Sequence, residues 1–257
     1  MIKQVRAELI KLATVRATYW CAVLSLCPSV VVAAIIALRR QDPGSLPFLA
    51  QYLFLFPAMA GVIPVVVLAV LVTAGEYGYG MIRVTFMVNP RRGVVMASKA
   101  VVVLAYGFVL GLVTAYTCAA VALVIAYDKL KGSPAGDPSL ADPHLAGMAV
   151  GLGLFYAFAA LMSAAWGTVF RHSAPAIALL IGWWLAIEKI LVPMVEQLRD
   201  IYYYLPFAAG ARAAIPGMGE MGVAPPSYAA STGSLILAAY AVAAYVAAVL
   251  FVRLRGV

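Results

Sequence analysis

The chain has 257 residues, of which 65% are hydrophobic and 11% charged, with a net charge of +8 and a mean hydropathy of +0.99. A soluble domain is about half apolar and about a quarter charged. This composition excludes a soluble globular protein, and the basic excess fits membrane topology better than nucleic-acid binding.

Crossing roughly 30 Å of hydrocarbon takes about 20 apolar residues. Six runs meet that requirement, at 17–38, 49–74, 100–127, 145–169, 174–195 and 233–252. The fold class is therefore an all-α integral membrane protein with six transmembrane helices in one domain covering 1–257. Before the first span, residues 1–15 are no signal peptide, because five more spans follow the first. Ile2, Val5, Leu9, Leu12 and Ala13 share one helical face, and Lys3, Gln4, Glu8 and Lys11 the opposite one. The pattern is an amphipathic helix lying in the interface; the alternative is a tail with a chance stripe.

Tyr19-Trp20 open the first span and Arg39-Arg40 close it, followed by the turn residues Asp42, Pro43 and Gly44. Pro57, Gly61 and Pro64 fall inside the second span, so a bend or local unwinding is predicted there. The loop 128–144, with Pro134, Gly136, Pro138 and Pro143, reads as irregular. The fourth span carries the small residues Gly147, Gly151, Ala159 and Ala160, which let backbones approach closely. Arg171-His172-Ser173 makes a tight turn, and 196–232, with its Tyr202-Tyr203-Tyr204 cluster, reads as short helices at the outer interface.

Counting basic residues by side fixes the orientation. With the N-terminus inside, eleven of the eighteen Lys and Arg face the cytoplasm and six face out, while the acids divide two inside and seven outside. Both termini are then cytoplasmic, the segment 76–99 is cytoplasmic, and 196–232 is extracellular.

The segment 76–99 is the longest interval with repeated charge near the middle of the chain. Glu76 is read near a helix start, where the dipole favours a carboxylate. Gly78 and Gly80 permit a change of direction. Met81, Ile82, Phe86, Met87 and Val88 make a short apolar helix interrupted by Arg83 and Thr85. Asn89-Pro90 ends it, and Arg91, Arg92 and Lys99 hold the next span at the anionic inner surface. Such a helix either lies buried among headgroups or presents its apolar side chains to a partner.

In the fifth span, Glu188 and Lys189 are ionisable groups at membrane depth. They read either as a gate or substrate contact or as a structural pair with a neighbouring span. Trp166, Trp183, Trp184, Tyr106, Tyr116 and Phe155 either line a hydrophobic cavity or serve as packing groups. Cys21, Cys27 and Cys118 all lie in apolar runs, and His144 and His172 lie far apart, so neither a disulfide framework nor a metal site is indicated.

The pattern Glu76-x-x-x-Gly80-x-Ile82-Arg83-x-Thr85, then Pro90-Arg91-Arg92, then Lys99, resembles the loop after the second span of ABC-2-type transporter permeases, in the branch of actinobacterial drug exporters. The resemblance covers nearly the whole chain, from the N-terminal "AELIKL" to "YLPF" at 204–207. Met81 and Arg83 depart from residues common there, which bears on the branch and not the family. The resemblance implies a permease subunit of an ATP-binding cassette exporter in the bacterial inner membrane. Its substrate would be hydrophobic or amphipathic. It implies that Glu76, Tyr77, Gly80, Ile82, Arg83, Phe86, Pro90 and Arg91 form a coupling loop against a separate ATPase subunit, with a second permease subunit as further partner. ATP and Mg belong to the ATPase, and no cofactor to this chain; the chain has no G-x-x-x-x-G-K-[ST] motif. Two other classes compete, a proton-coupled secondary transporter, which needs several buried acids, and an intramembrane enzyme, which needs converging catalytic groups.

Overall fold

A computed structural model describes residues 2–39, 46–78, 80–130, 139–216 and 228–255, without the side chains of residues 46, 47, 83, 88, 128–130 and 255. Arg40, the Asp42–Gly44 turn, Lys131, the Pro134–Pro138 stretch and the segment 217–227 lie outside the described residues.

Among the described residues the chain is helical throughout, with no strand. Helix α1 (Ile2–Thr14) leads into α2 (Arg16–Arg39). Then come α3 (Leu46–Phe56), a π-helical turn at Pro57–Gly61, and α4 (Ile63–Gly78). The short α5 (Met81–Val88) precedes the long α6 (Arg92–Leu130) and α7 (Pro143–Phe170). Helix α8 (Ser173–Gly182) continues through a π-helical segment (Trp183–Leu191) into α9 (Val192–Met194). A 3-10 segment (Glu196–Tyr204), α10 (Pro206–Ala211) and α11 (Ala230–Arg255) complete the order. Six of the resulting rods are long and apolar enough to span a membrane, which makes this a multi-pass membrane architecture.

Helix α7 is the axis of the bundle: 72% of its apolar window is buried inside the protein, against 28% for α2 and for α11. Small residues make that possible. The fourth span packs against α6 at Gly107 and Gly111, where an added Cβ would lie 2.7 Å from the Tyr156 carbonyl oxygen and 2.7 Å from the Gly153 Cα. This close backbone approach is the small-xxx-small contact of membrane helices. Of the glycines singled out in the fourth span, Gly151 is pressed against the Ala213 backbone, whereas Gly147 faces open space. Asp142 caps α7, accepting the His144 N–H at 2.8 Å. At the other end Arg171 takes the left-handed conformation, φ 57°, that forms the tight turn.

The second span is interrupted as its prolines predict, but by widening. Pro64 has no N–H for the Ala60 carbonyl and crowds it, so the ladder slips to an i+5 bond from the Val62 N–H to the Pro57 carbonyl at 3.1 Å. Neighbouring spans then satisfy the disturbed backbone: Tyr156 Oη donates to Pro57 O at 3.0 Å and Ser25 Oγ to Gly61 O at 2.7 Å. Pro193 acts alike in the fifth span, following a nine-residue π segment.

Helix α1 departs from the expected division into an apolar and a polar face at Glu8. The helix turns Glu8 and Leu12 into the protein, while Ile2, Leu9 and Ile10 are exposed. Its inward stripe thus mixes charge and oil, because charged partners wait on the neighbouring spans. The connection between the fifth and sixth spans does hold short helices, and α10 is wholly buried against Phe155, Trp184 and α11.

Candidate functional site

At one end of the bundle four charges meet. Glu8 and Lys11 come from α1, Glu76 from the last turn of α4, and Lys99 from two turns inside α6. Lys99 Nζ donates to Glu8 Oε2 at 2.9 Å and to Glu76 Oε1 at 2.6 Å, and Lys11 Nζ pairs with the same Glu76 oxygen. Lys99 is 1% exposed and Glu76 3%. Removing one ion from water costs several kcal/mol even after relaxation. Two acids and two bases hydrogen-bonded as one neutral set offset that cost; a lone ammonium at the Lys99 site would not be retained.

This placement corrects the reading of Glu76 and Lys99. Glu76 lies at the C-terminal end of its helix, where the dipole disfavours a carboxylate, and two ammonium groups hold it there. Lys99 is buried in the network rather than resting at an anionic surface. Glu76 Oε2 and the Tyr77 hydroxyl are buried with no hydrogen-bond partner among the described residues.

The loop hangs directly from this network. Gly80 takes φ +68°, a conformation that costs other residues, and its N–H donates to the Tyr77 carbonyl at 3.1 Å. Helix α5 follows, with Ile82 buried and Phe86 half-buried under the Arg92 guanidinium, 5.5 Å from the ring centroid. Met81, Val84 and Met87 recur at i, i+3 and i+6 and are 50%, 57% and 75% exposed, an apolar row on the surface of the described residues. Asn89 ends the helix in an extended conformation and its side chain accepts the Arg91 N–H at 3.2 Å. Pro90 and Arg91 are exposed. The Arg171 guanidinium lies 5.6 Å from the rings of both Tyr77 and Phe251, tying the turn after α7 to the ends of α4 and α11. The Arg83 side chain lies outside the described residues.

Of the eight loop residues singled out, then, Pro90 and Arg91 reach the surface. Glu76 and Ile82 are internal, Tyr77 and Phe86 are engaged with arginines, and Gly80 supplies the bend. Sequence reasoning missed Lys11 and Lys99 as partners of Glu76, and Glu8 as the second acceptor of Lys99. Their opposite charges at the edges of apolar runs were the available signal. Beside the network, Leu12, Val15, Leu68, Val72 and Met81 line an apolar groove of about 430 Å³ between α1 and α4.

The intramembrane pair sits elsewhere and serves a different arrangement. Glu188 is fully buried; it accepts the Trp183 Nε1–H at 2.9 Å and, from the first turn of α10, the Ala208 N–H at 2.9 Å. Lys189 Nζ donates to the Tyr202 hydroxyl at 3.1 Å. The two side chains thus bind the connecting segment back onto the fifth span. Tyr228 closes it from the other side, donating to the Tyr203 carbonyl at 2.5 Å. Burial raises the phenol of Tyr228 above its ordinary value, with Arg212 opposing. Of the aromatics singled out, Trp184 stacks on Phe207 at 5.2 Å, Trp166 on Phe170 at 5.7 Å, and Trp183 is exposed. Among the described residues no three His, Cys, Asp or Glu side chains gather as metal ligands.

Compared with known proteins, the chain matches no family model and no curated sequence.

Proposed function

We propose that this chain is the permease subunit of an ATP-driven exporter of the ABC-2 type, moving a hydrophobic or amphipathic substrate across the bacterial inner membrane. Energy comes from ATP and Mg on a separate ATPase subunit. Two permease subunits form the pathway, both termini are cytoplasmic, and the connection 196–232 faces out.

The observation that carries the reading is the juxtaposition of an exposed apolar row on α5 with a buried ion-pair network that joins α5's stem, α4, to α1 and α6. Exposed apolar surface on a short ordered helix favours a protein partner. A partner pushing on Met81, Val84 and Met87 moves α5 against Glu76, and Glu76 is bonded through Lys99 and Lys11 to α6 and α1. Force applied at the loop therefore reaches the spans through hydrogen bonds and not through a slack linker. Glu76 acts here as a positioning residue; the contact residues are the exposed ones, Met81, Val84, Met87, Pro90 and Arg91.

The test is to isolate the chain from its native membrane and identify its companions by mass. The proposal predicts a soluble ATPase that co-purifies, and whose capture is lost in Val84→Asp/Met87→Asp. A particle without any ATPase contradicts it.

A further inference from the structure

Where α6 begins and α11 ends, three arginines converge. Arg91 and Arg92 flank the first turn of α6, and Arg253 comes from the last turn of α11. With Pro90, Gly93 and Val94 they line an open groove of about 610 Å³. Arg92 is partly committed, since Nη1 donates to the Val252 carbonyl at 3.0 Å. The Arg253 guanidinium lies against Gly93, where an added Cβ would meet Nη2 at 2.5 Å. It therefore rests over the first turn of α6, whose unpaired N–H groups and dipole are also positive.

Among the described residues the ion pairs are Lys11–Glu76, Lys99–Glu8 and Lys99–Glu76. None involves these arginines, and no acid lines the groove among the described residues. Three like charges gathered at a positive helix end repel one another unless an anion lies between them. Guanidinium forks match phosphate oxygens in pairs. The two helices that build the groove are both long and apolar enough to span a membrane, so their shared end lies at headgroup depth, where the abundant phosphate is that of a lipid.

We propose that Arg91, Arg92 and Arg253 bind the phosphodiester of one anionic phospholipid headgroup, clamping the start of α6 to the end of α11. The site needs no ATPase; it shares Arg91 with the proposed ATPase contacts but not Arg253, so lipid retention by the purified chain tests this site and ATPase capture tests the exporter reading.

The test uses the full chain in detergent, with native mass spectrometry of lipid retention from equal amounts of phosphatidylglycerol and phosphatidylcholine. The parent protein is expected to retain phosphatidylglycerol at least about tenfold better. Arg91→Gln/Arg253→Gln is expected to lower that preference by about tenfold or more, at roughly fivefold per arginine. Arg92 is left intact because of its bond to Val252. Arg91→Lys/Arg253→Lys is expected to keep most of the preference. If the glutamine variant does not fold, the parent decides: its preference must collapse when salt rises from about 0.1 M to about 1 M, which shortens the Debye length about threefold. A parent with no preference, or a preference unmoved by salt and by both variants, overturns the proposal. Displacement of the lipid by millimolar inorganic phosphate overturns the lipid assignment in favour of a free anion. Loss of a co-purifying protein with lipid preference unchanged assigns the groove to an acidic protein surface, and also overturns it.

Discussion

Lys99 lies in a nearly waterless site where Glu8 and Glu76 each accept one of its N–H bonds. Removing one partner of such a set leaves buried charge uncompensated. Lys99→Met is expected to cost about 3–5 kcal/mol, read as a lower thermal midpoint in detergent. Adding Glu8→Leu leaves the neutral Lys11–Glu76 pair and is expected to restore more than half of that loss. A Lys99→Met protein as stable as the parent contradicts the network's role. Glu188 presents the complementary case, a carboxylate accepting two N–H bonds. In Glu188→Gln one of those donors faces an NH₂ instead of an oxygen. The expected cost is about 1–3 kcal/mol, concentrated as faster amide hydrogen exchange over 205–211. Unchanged exchange there, with export impaired, moves Glu188 from a structural clip to a substrate contact.

At the scale of elements, the α6–α7 contact depends on the absence of side chains. Gly107→Val and Gly111→Val are each expected to cost about 1–3 kcal/mol through overpacking, while Gly147→Ala, in open space, stays within about 0.5 kcal/mol. Thermal denaturation of the three variants checks the order, and equal midpoints contradict it. The six rods were legible in the sequence because hydropathy over about 20 residues is a property of the run and not of its neighbours. Their ends were not. A scan of apolar character stops the second span at residue 74 and starts the third at 100. The helices instead run on to Gly78 and begin at Arg92. Glu76 and Lys99 stay helical and buried because each neutralises the other, a pairing between residues 23 apart that hydropathy does not register. The loop helix was readable from Gly80, Asn89 and Pro90. Which of its side chains face out was not, since that depends on where α4 delivers it: Ile82 points inward and Met87 outward. The Ala208 partner of Glu188 was hidden likewise, being supplied by a backbone N–H and so by no residue type.

Across the whole molecule the two ends differ in kind. One end gathers the ion-pair network, the exposed row of α5 and the arginine groove. The other carries a groove of about 600 Å³ lined by Phe48, Gln51, His144 and Ser231 among others, with no Lys, Arg, Asp or Glu among the described residues of its lining. An axis helix buried along most of its length runs between them. Because Val84 and Met87 are exposed, aspartate at both positions is expected to leave the thermal midpoint within the range of surface substitutions, about 0.5 kcal/mol each. Any functional loss in that variant is then a loss of contact and not of fold. The most direct measurement is ATP hydrolysis and substrate export by the native particle, parent against Val84→Asp/Met87→Asp. The account predicts a co-purifying ATPase in the parent, and in the variant an intact fold with that ATPase and the export both lost. Export that continues undiminished in the variant, or a parent particle with no ATPase, contradicts it.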